Sequence, residues 1–267
     1  MAHQAEIGIF GGSGFYEFAD GLVEEITVDT EYGPPSDKIA ICVVAGRRVA
    51  FLPRHGKHHT IPPHRINYRA NLAAFKQLGV TRVIAPNAVG SLNADFAPGT
   101  FAINDQFVDR TFGRADTFFD GPTVTHVSTA EPYCPQLREL AIAATQASGV
   151  PVRKSATCVI VQGPRFSTKA ESRWFASAGC DIINMTQYPE VVLARELAMC
   201  YVNISLVTDY DAGVAVEGER PVEASDIVRV LATNTANVKR VIRQMLETFP
   251  VERECGCADA LKFAQMG

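Results

Sequence analysis

Apolar, β-branched runs of five to seven residues punctuate the chain at Glu6–Phe10, Lys38–Val44, Arg48–Leu52, Thr81–Ala85, Ala156–Gln162 and Tyr201–Val207. Their lengths and residue types predict buried strands. Between them the spacing changes. In Asn67–Leu78, Tyr68, Leu72 and Phe75 recur at i, i+4 and i+7, and Gly79 stands where a helix C-cap belongs. Gln136–Ser148 carries a second helical pattern, stopped by Gly149-Val150-Pro151. A third, Pro189–Met199, opens with proline in its first turn and Glu190 beside it, both favourable at a helix start. The longest pattern spans Val222–Glu247, with Ile227, Leu231, Val238, Val241 and Met245 on one stripe. Strands alternating with helices across short connections predict an α/β fold built on a largely central sheet. No repeat or linker-like stretch divides the pattern. Residues 1–249 read as one domain and 250–267 as a C-terminal tail.

Composition narrows the partners. A chain of 267 residues, 47% hydrophobic and 20% charged, can bury one large core and is too apolar for disorder. Lys plus Arg number 25 against 29 Asp plus Glu, a formal charge of −4. No basic field favours nucleic acid or an anionic membrane, so any phosphate recognition must be local. No apolar run approaches the ~20 residues of a membrane span. The start, MAHQAEIGIFGGSGF, lacks the basic-then-apolar signature of a signal peptide, and a cytoplasmic location is expected. Seven scattered cysteines are too sparse for a disulfide scaffold. Most lie in apolar segments, such as Cys158 and Cys200, and read as small core residues. Cys255-Gly256-Cys257 sits in the polar tail instead. It can be a strained redox pair, half a zinc site or two ordinary thiols, and no second pair at zinc-finger spacing accompanies it.

Several strand ends carry candidate chemistry. Gly11-Gly12-Ser13-Gly14 is either a tight turn or a small anion-binding nest. It lacks the third glycine of a dinucleotide loop and the Lys-Ser/Thr of a P-loop. Pro53-Arg54-His55-Gly56-Lys57-His58-His59 offers an Arg fork and a His for phosphate, with a metal cluster or a solvated basic turn as alternatives. Asn87-Ala88-Val89-Gly90-Ser91 reads as a small-residue turn after a strand ending at Pro86. Together the three suggest free phosphate at the carboxyl edge of an α/β sheet. In Gly163-Pro164-Arg165-Phe166-Ser167-Thr168, Phe166 can stack on a flat ring, while Ser167 or Thr168 can cap a helix. Met185 and Thr186 lie between a strand and a helix start, where Met is usually core filler. Asp209-Tyr210-Asp211 ends an apolar strand. Residues i and i+2 of an extended chain share a face. Two carboxylates there repel, so one tends to keep its proton near neutral pH. An acid beside an acceptor matches the N7 and N6-amino edge of adenine. A solvated acidic loop or a calcium turn is the alternative.

These motifs, with PRHGKHHTIPPHRINYRANLAAFK, DQFVDRTFGRADTFFDG, AEPYCP and INMTQYPEVVLARE in the same order, resemble the trimeric purine nucleoside phosphorylases, in the branch acting on 5′-methylthioadenosine. The resemblance spans roughly Ile7 to Glu247. It implies a single-domain phosphorylase-type fold, with a central mixed β-sheet flanked by α-helices. It implies phosphate held by Ser13, Arg54, His55, Asn87, Ala88 and Thr186. Met185 would lie under the ribose, Phe166 and Ser167 would line the base pocket, and Tyr210 would belong to the substrate site. Asp209 and Asp211 would read adenine, Asp209 as the catalytic acid, while Ser167 and Ala224 would set specificity. His126 would reach a neighbouring subunit's pocket in a homotrimer. The resemblance implies no metal and no organic cofactor, only nucleoside and inorganic phosphate. Oxopurine readers of the family use Asn and Glu where this chain has Asp209 and Ser167, which favours a 6-aminopurine. A 6-oxopurine phosphorylase and a non-catalytic purine or phosphate sensor are the rivals.

Overall fold

The computed structural model describes residues 4–17 and 21–265, apart from the side chains of residues 224–229. Among the described residues, eleven strands form one mixed sheet. Its organising strand is β5 (Arg82–Ser91), parallel to β1 (Ile7–Gly11) on one side and to β11 (Cys200–Asp209) on the other. Beyond β1 lie β4 (Arg47–Pro53), β3 (Ile39–Val44) and β2 (Leu22–Ile26). Past the end of β1, β5 takes a new and antiparallel neighbour, β10 (Ile182–Asn184), which leads to β9 (Thr157–Val161) and β7 (Gln106–Arg110). β6 (Phe101–Ile103) flanks β11 and carries the two-residue β8 (Val152–Arg153).

Both faces of the sheet are covered, which explains why its strands read as continuous apolar runs. Ile7, Ile9, Val202 and Ile204 pack under α2 (Pro135–Ala147) and α5 (Ala224–Glu247), through Leu137, Ala141, Val238, Val241 and Met245. Phe10, Val83, Ala85 and Tyr201 point the other way, onto α1 (Tyr68–Gln77) and α4 (Gln187–Glu196), through Leu72, Phe75, Val191 and Leu193. Local chemistry sets the helix ends. Asn67 caps α1 by accepting from the Ala70 N–H, and Thr168 opens α3 (Lys169–Ser177) in a reciprocal capping box with Glu171. Tyr188 is extended, as a residue before proline prefers, so α4 is broken there and runs regularly from Pro189.

The strand expected to stop at Pro86 instead continues to Ser91, so Asn87 and Ala88 are strand residues and not a turn. Pairing with β1 ends at Ile84 and pairing with β10 begins at Gly90. A proline is tolerated in that gap, where one flank of the strand is unpaired. The same gap is the topological switch of the sheet, and it opens onto the cavity described below.

The segment after α5 packs back onto the domain. Arg47 donates to the carbonyls of Leu246 and Phe249, Cys257 is buried in the core, and Gln265 forms an antiparallel bridge with Thr125. Among the described residues no helix is long and apolar enough to cross a membrane.

Candidate active site

A cavity of about 670 Å³ lies over the β5 gap, at the carboxyl ends of β1, β4 and β11. Ser13, Arg54, His55, Asn87, Ala88 and Thr186 line it, as do Phe166, Ser167, Met185, Asp209 and Asp211. The two sets are separated along β5. Arg54 donates to the Pro86 carbonyl, whereas Asp209 pairs with Gly90 four residues on. That is about 13 Å at strand rise, enough for a nucleoside-sized ligand.

The first end is cationic and donor-rich. Arg54 is fully buried and grips Glu190 in a bidentate pair, Nε to Oε2 at 2.6 Å and Nη2 to Oε1 at 2.8 Å. Tyr201 donates to the same carboxylate at 2.7 Å. Burial alone would lower the arginine pKa, but the Glu190 carboxylate reverses this and holds it above its ordinary value. Glu190 was legible only as a helix-start acid; its role behind Arg54 depends on a contact 136 residues away in sequence. The Gly-rich loop is a tight turn and also a wall of the cavity. Phe15 N–H donates to Gly12 O, leaving Ser13 facing the cavity, and a Cβ on Gly11 would meet the Phe15 carbonyl at 2.2 Å. Asn184 accepts from the Thr186 and Gln187 N–H groups and donates to Ala88 O, fastening the 185–187 segment to β5. The Asn87 amide nitrogen is buried with no protein partner. A buried orphan donor beside a guanidinium is a site for an oxyanion.

His55 donates from Nδ1 to the Ile61 carbonyl at 2.8 Å, because a carbonyl can only accept. Burial pushes its pKa down to about 4. The ring is therefore neutral at pH 7, with an Nε2 lone pair to accept from a protonated ligand oxygen. Since the unfolded chain protonates first, His55 contributes stability that is full above about 6.5 and is lost as pH falls towards about 4. In phosphate-free buffer, His55→Asn is expected to shrink the drop in urea midpoint between pH 7 and pH 5. An unchanged drop would remove His55 as its source.

The second end reads hydrogen bonds. β11 stops at Asp209, and Asp211 adopts a left-handed conformation, φ 48°. The two carboxylates are thus not a simple i, i+2 strand pair, yet both line the cavity. Asp209 Oδ1 accepts from the Asp211 N–H at 2.8 Å, and its Oδ2 lies 2.7 Å from Thr208 Oγ1. Burial raises the Asp211 pKa, and Ser172 hydrogen-bonds its Oδ2. Thr168, rather than Ser167, caps α3, leaving Ser167 to the cavity. Met185 enters because Gly163, at φ +63°, has no side chain; a Cβ there would lie 2.6 Å from the Met185 sulfur. Arg114, missed in the sequence, ties this wall together by donating to the carbonyls of Gln162, Met185 and Tyr188.

Of the remaining expected residues, Tyr210 and His126 are not among those lining this cavity, as befits His126 if it serves a neighbouring subunit. Tyr210 follows the strand end, between the two cavity-lining carboxylates. His126 is exposed, and its N–H donates to Ala264 O. Ala224 is the first residue of α5, and its side chain lies outside the described residues. The histidines of the 54–59 turn form no metal cluster among the described residues; His55 and His59 stack at 4.4 Å. The Cys255–Cys257 pair, which no second pair at zinc-finger spacing accompanies in the sequence, is joined in space by Cys134 and Cys200.

The family model described as Phosphorylase superfamily matches residues 6–247. An S-methyl-5′-thioadenosine phosphorylase of Thermofilum pendens is 52% identical over 97% of each chain. A purine nucleoside phosphorylase of Streptomyces coelicolor is 48% identical, over 97% of this chain and 95% of that one. Methylthioadenosine phosphorylase from Schistosoma mansoni, solved in complex with adenine, superposes with a TM-score of 0.90 at 35% identity, over 97% of this chain and 96% of that one. With the sheet, the switch-point cavity and these matches agreeing over nearly the whole chain, the protein belongs to the phosphorylase superfamily, among the purine nucleoside and methylthioadenosine phosphorylases.

Proposed function

We infer that the protein cleaves 5′-methylthioadenosine with inorganic phosphate, releasing adenine and 5-methylthioribose 1-phosphate. The observation that carries this reading is one cavity with Arg54 and the orphan Asn87 amide at one end and the Asp209/Asp211 pair at the other. Arg54, Ser13, Thr186 and the Asn87 amide hold phosphate in line with C1′, a positioning and electrostatic contribution. A phosphate oxygen bonds to C1′ as the C1′–N9 bond breaks, and the electron pair passes into the purine. Asp209 gives its proton to N7, so adenine leaves neutral. The hydrogen bonding accommodates that proton. Thr208 has one hydroxyl hydrogen and lies 3.2 Å from Val89 O and 2.7 Å from Asp209 Oδ2. With the hydroxyl donating to Val89 O, its oxygen accepts from a protonated Oδ2.

The second reading is phosphorolysis of a 6-oxopurine nucleoside, and the Streptomyces coelicolor relative bears the name purine nucleoside phosphorylase. A 6-amino group donates to a carboxylate, whereas a 6-oxo group would set acceptor against acceptor, at a cost of about 1–3 kcal/mol per unpaired buried group. Product analysis decides among the readings. With methylthioadenosine, adenosine and methylthioinosine as substrates, adenine release from methylthioadenosine should be fastest and should require phosphate. Equal release without phosphate would mean a hydrolase, preference for methylthioinosine an oxopurine enzyme, and no turnover a sensor. The same reading assigns His126 to a neighbouring subunit's pocket in a cyclic trimer; sedimentation equilibrium at a trimeric mass is the corresponding check.

A further inference from the structure

Four of the seven cysteines converge although the sequence scatters them. The Sγ atoms of Cys134, Cys200, Cys255 and Cys257 all lie within 4.8 Å of one another, and all four are free thiols. They come from three parts of the fold. Cys134 is the N-cap of α2, Cys200 opens β11, and the other two flank Gly256 in the C-terminal segment. Backbone and side-chain contacts fix this meeting point. Cys134 N–H donates to Tyr201 O at 2.9 Å, and Arg253, just before the last pair, donates to Ala198 O at 2.7 Å, just before Cys200.

We propose that these four cysteines bind a structural zinc ion. Zinc takes four thiolates in a tetrahedron with Zn–S near 2.3 Å, which sets the sulfurs about 3.8 Å apart. The spacing of the four sulfurs is compatible with that, and Cys200 and Cys255 already approach to 3.3 Å. Pure sulfur ligation selects a soft or borderline ion over calcium or magnesium. Four protein ligands, three of them buried, leave no open position, so the ion would be structural rather than catalytic. Binding exchanges up to four thiol protons for one dication and leaves a net charge of −2. The positive end of α2 lies at Cys134, whose side chain makes no capping bond, and favours that charge.

The site also answers what holds the chain end in place. Val251 and Phe263 are 82% and 90% exposed, so apolar burial does little for the segment. Among the described residues from 250 onward, the buried apolar positions are Cys257 and Ala264. A metal tied to α2 and β11 would add a stronger constraint to the hydrogen bonds that Arg253, Ala264 and Gln265 make with the domain.

The test reads metal directly and does not depend on catalysis. Reduced, zinc-free full-length protein is titrated with Co²⁺, and protein isolated without chelator is assayed for zinc. Expected are about one ion per chain and the intense visible bands of a tetrahedral cobalt thiolate. Cys255→Ser and Cys134→Ser should each abolish those bands, while Cys42→Ser and Cys180→Ser should leave them unchanged. Limited proteolysis should cut the C-terminal segment faster in zinc-free than in zinc-loaded wild type, a comparison that needs no variant to fold. Absence of stoichiometric binding by reduced protein, binding indifferent to Cys255→Ser, equal proteolysis, or two native disulfides by mass after alkylation would each overturn the proposal.

Discussion

Asp209→Asn is expected to lower methylthioadenosine turnover by roughly 10²–10⁴-fold, the worth of a positioned general acid. The amide keeps the size of the side chain and can still accept at Oδ1 from the Asp211 N–H. It has no proton to give to N7. The loss should fall on kcat more than on KM, because the proton is transferred only as the glycosidic bond breaks. The same amide can donate to a 6-oxo group, so adding Ser167→Glu should move the ratio of kcat/KM towards methylthioinosine. If the ratio stays put, these two side chains are not the selectors. If Asp209→Asn turns over at the wild-type rate, the proton reaches N7 by another route.

Glu190→Ala is expected to destabilise the fold by about 3–5 kcal/mol, because it strands a buried guanidinium. The carboxylate holds two nitrogens of Arg54 and the hydroxyl of Tyr201, deep beneath the cavity. Urea unfolding at pH 7 measures the loss. Glu190→Gln separates folding from function. It preserves shape and most hydrogen bonding but removes the charge that anchors Arg54, so a folded variant should show a raised KM for phosphate and a nearly unchanged affinity for adenine. Unaltered phosphate dependence would mean Arg54 needs no anchor.

How much of this was legible beforehand depended on distance along the chain. Four helices were readable because their signals are local: a stripe, a proline, a cap. The six long apolar strands, β1, β3, β4, β5, β9 and β11, were equally plain, whereas the short β6 and β8 and the polar β7 gave no such run. β2 was not plain either, because LVEEI is a charged edge strand, and β5 was cut short because Pro86 argues against a strand unless its flank is unpaired. The cavity residues were found through motifs at strand ends and through resemblance. Glu190, Arg114 and the four-thiol cluster were missed for one reason: each has a partner brought close only by the finished sheet. Cys200 looked like filler because nothing near it in sequence discloses Cys255. The Asp209/Asp211 geometry was half right, since Asp211 itself takes the left-handed conformation in the Tyr210–Gly213 turn, a position where the sequence shows an aspartate and no glycine.

The position of β11 has a consequence for biosynthesis. It lies between β5 and β6, inside the sheet, yet it is the last strand to leave the ribosome. Until it emerges, the nascent chain exposes the edges of both neighbours, the kind of unpaired apolar border that invites association with other chains. Asp209 and Asp211 arrive with that same segment. A message truncated before residue 200 therefore yields a product that lacks both cavity carboxylates and cannot close its sheet, and polysomes making this protein hold a form with two unpaired strand edges while most of the pocket lining already exists.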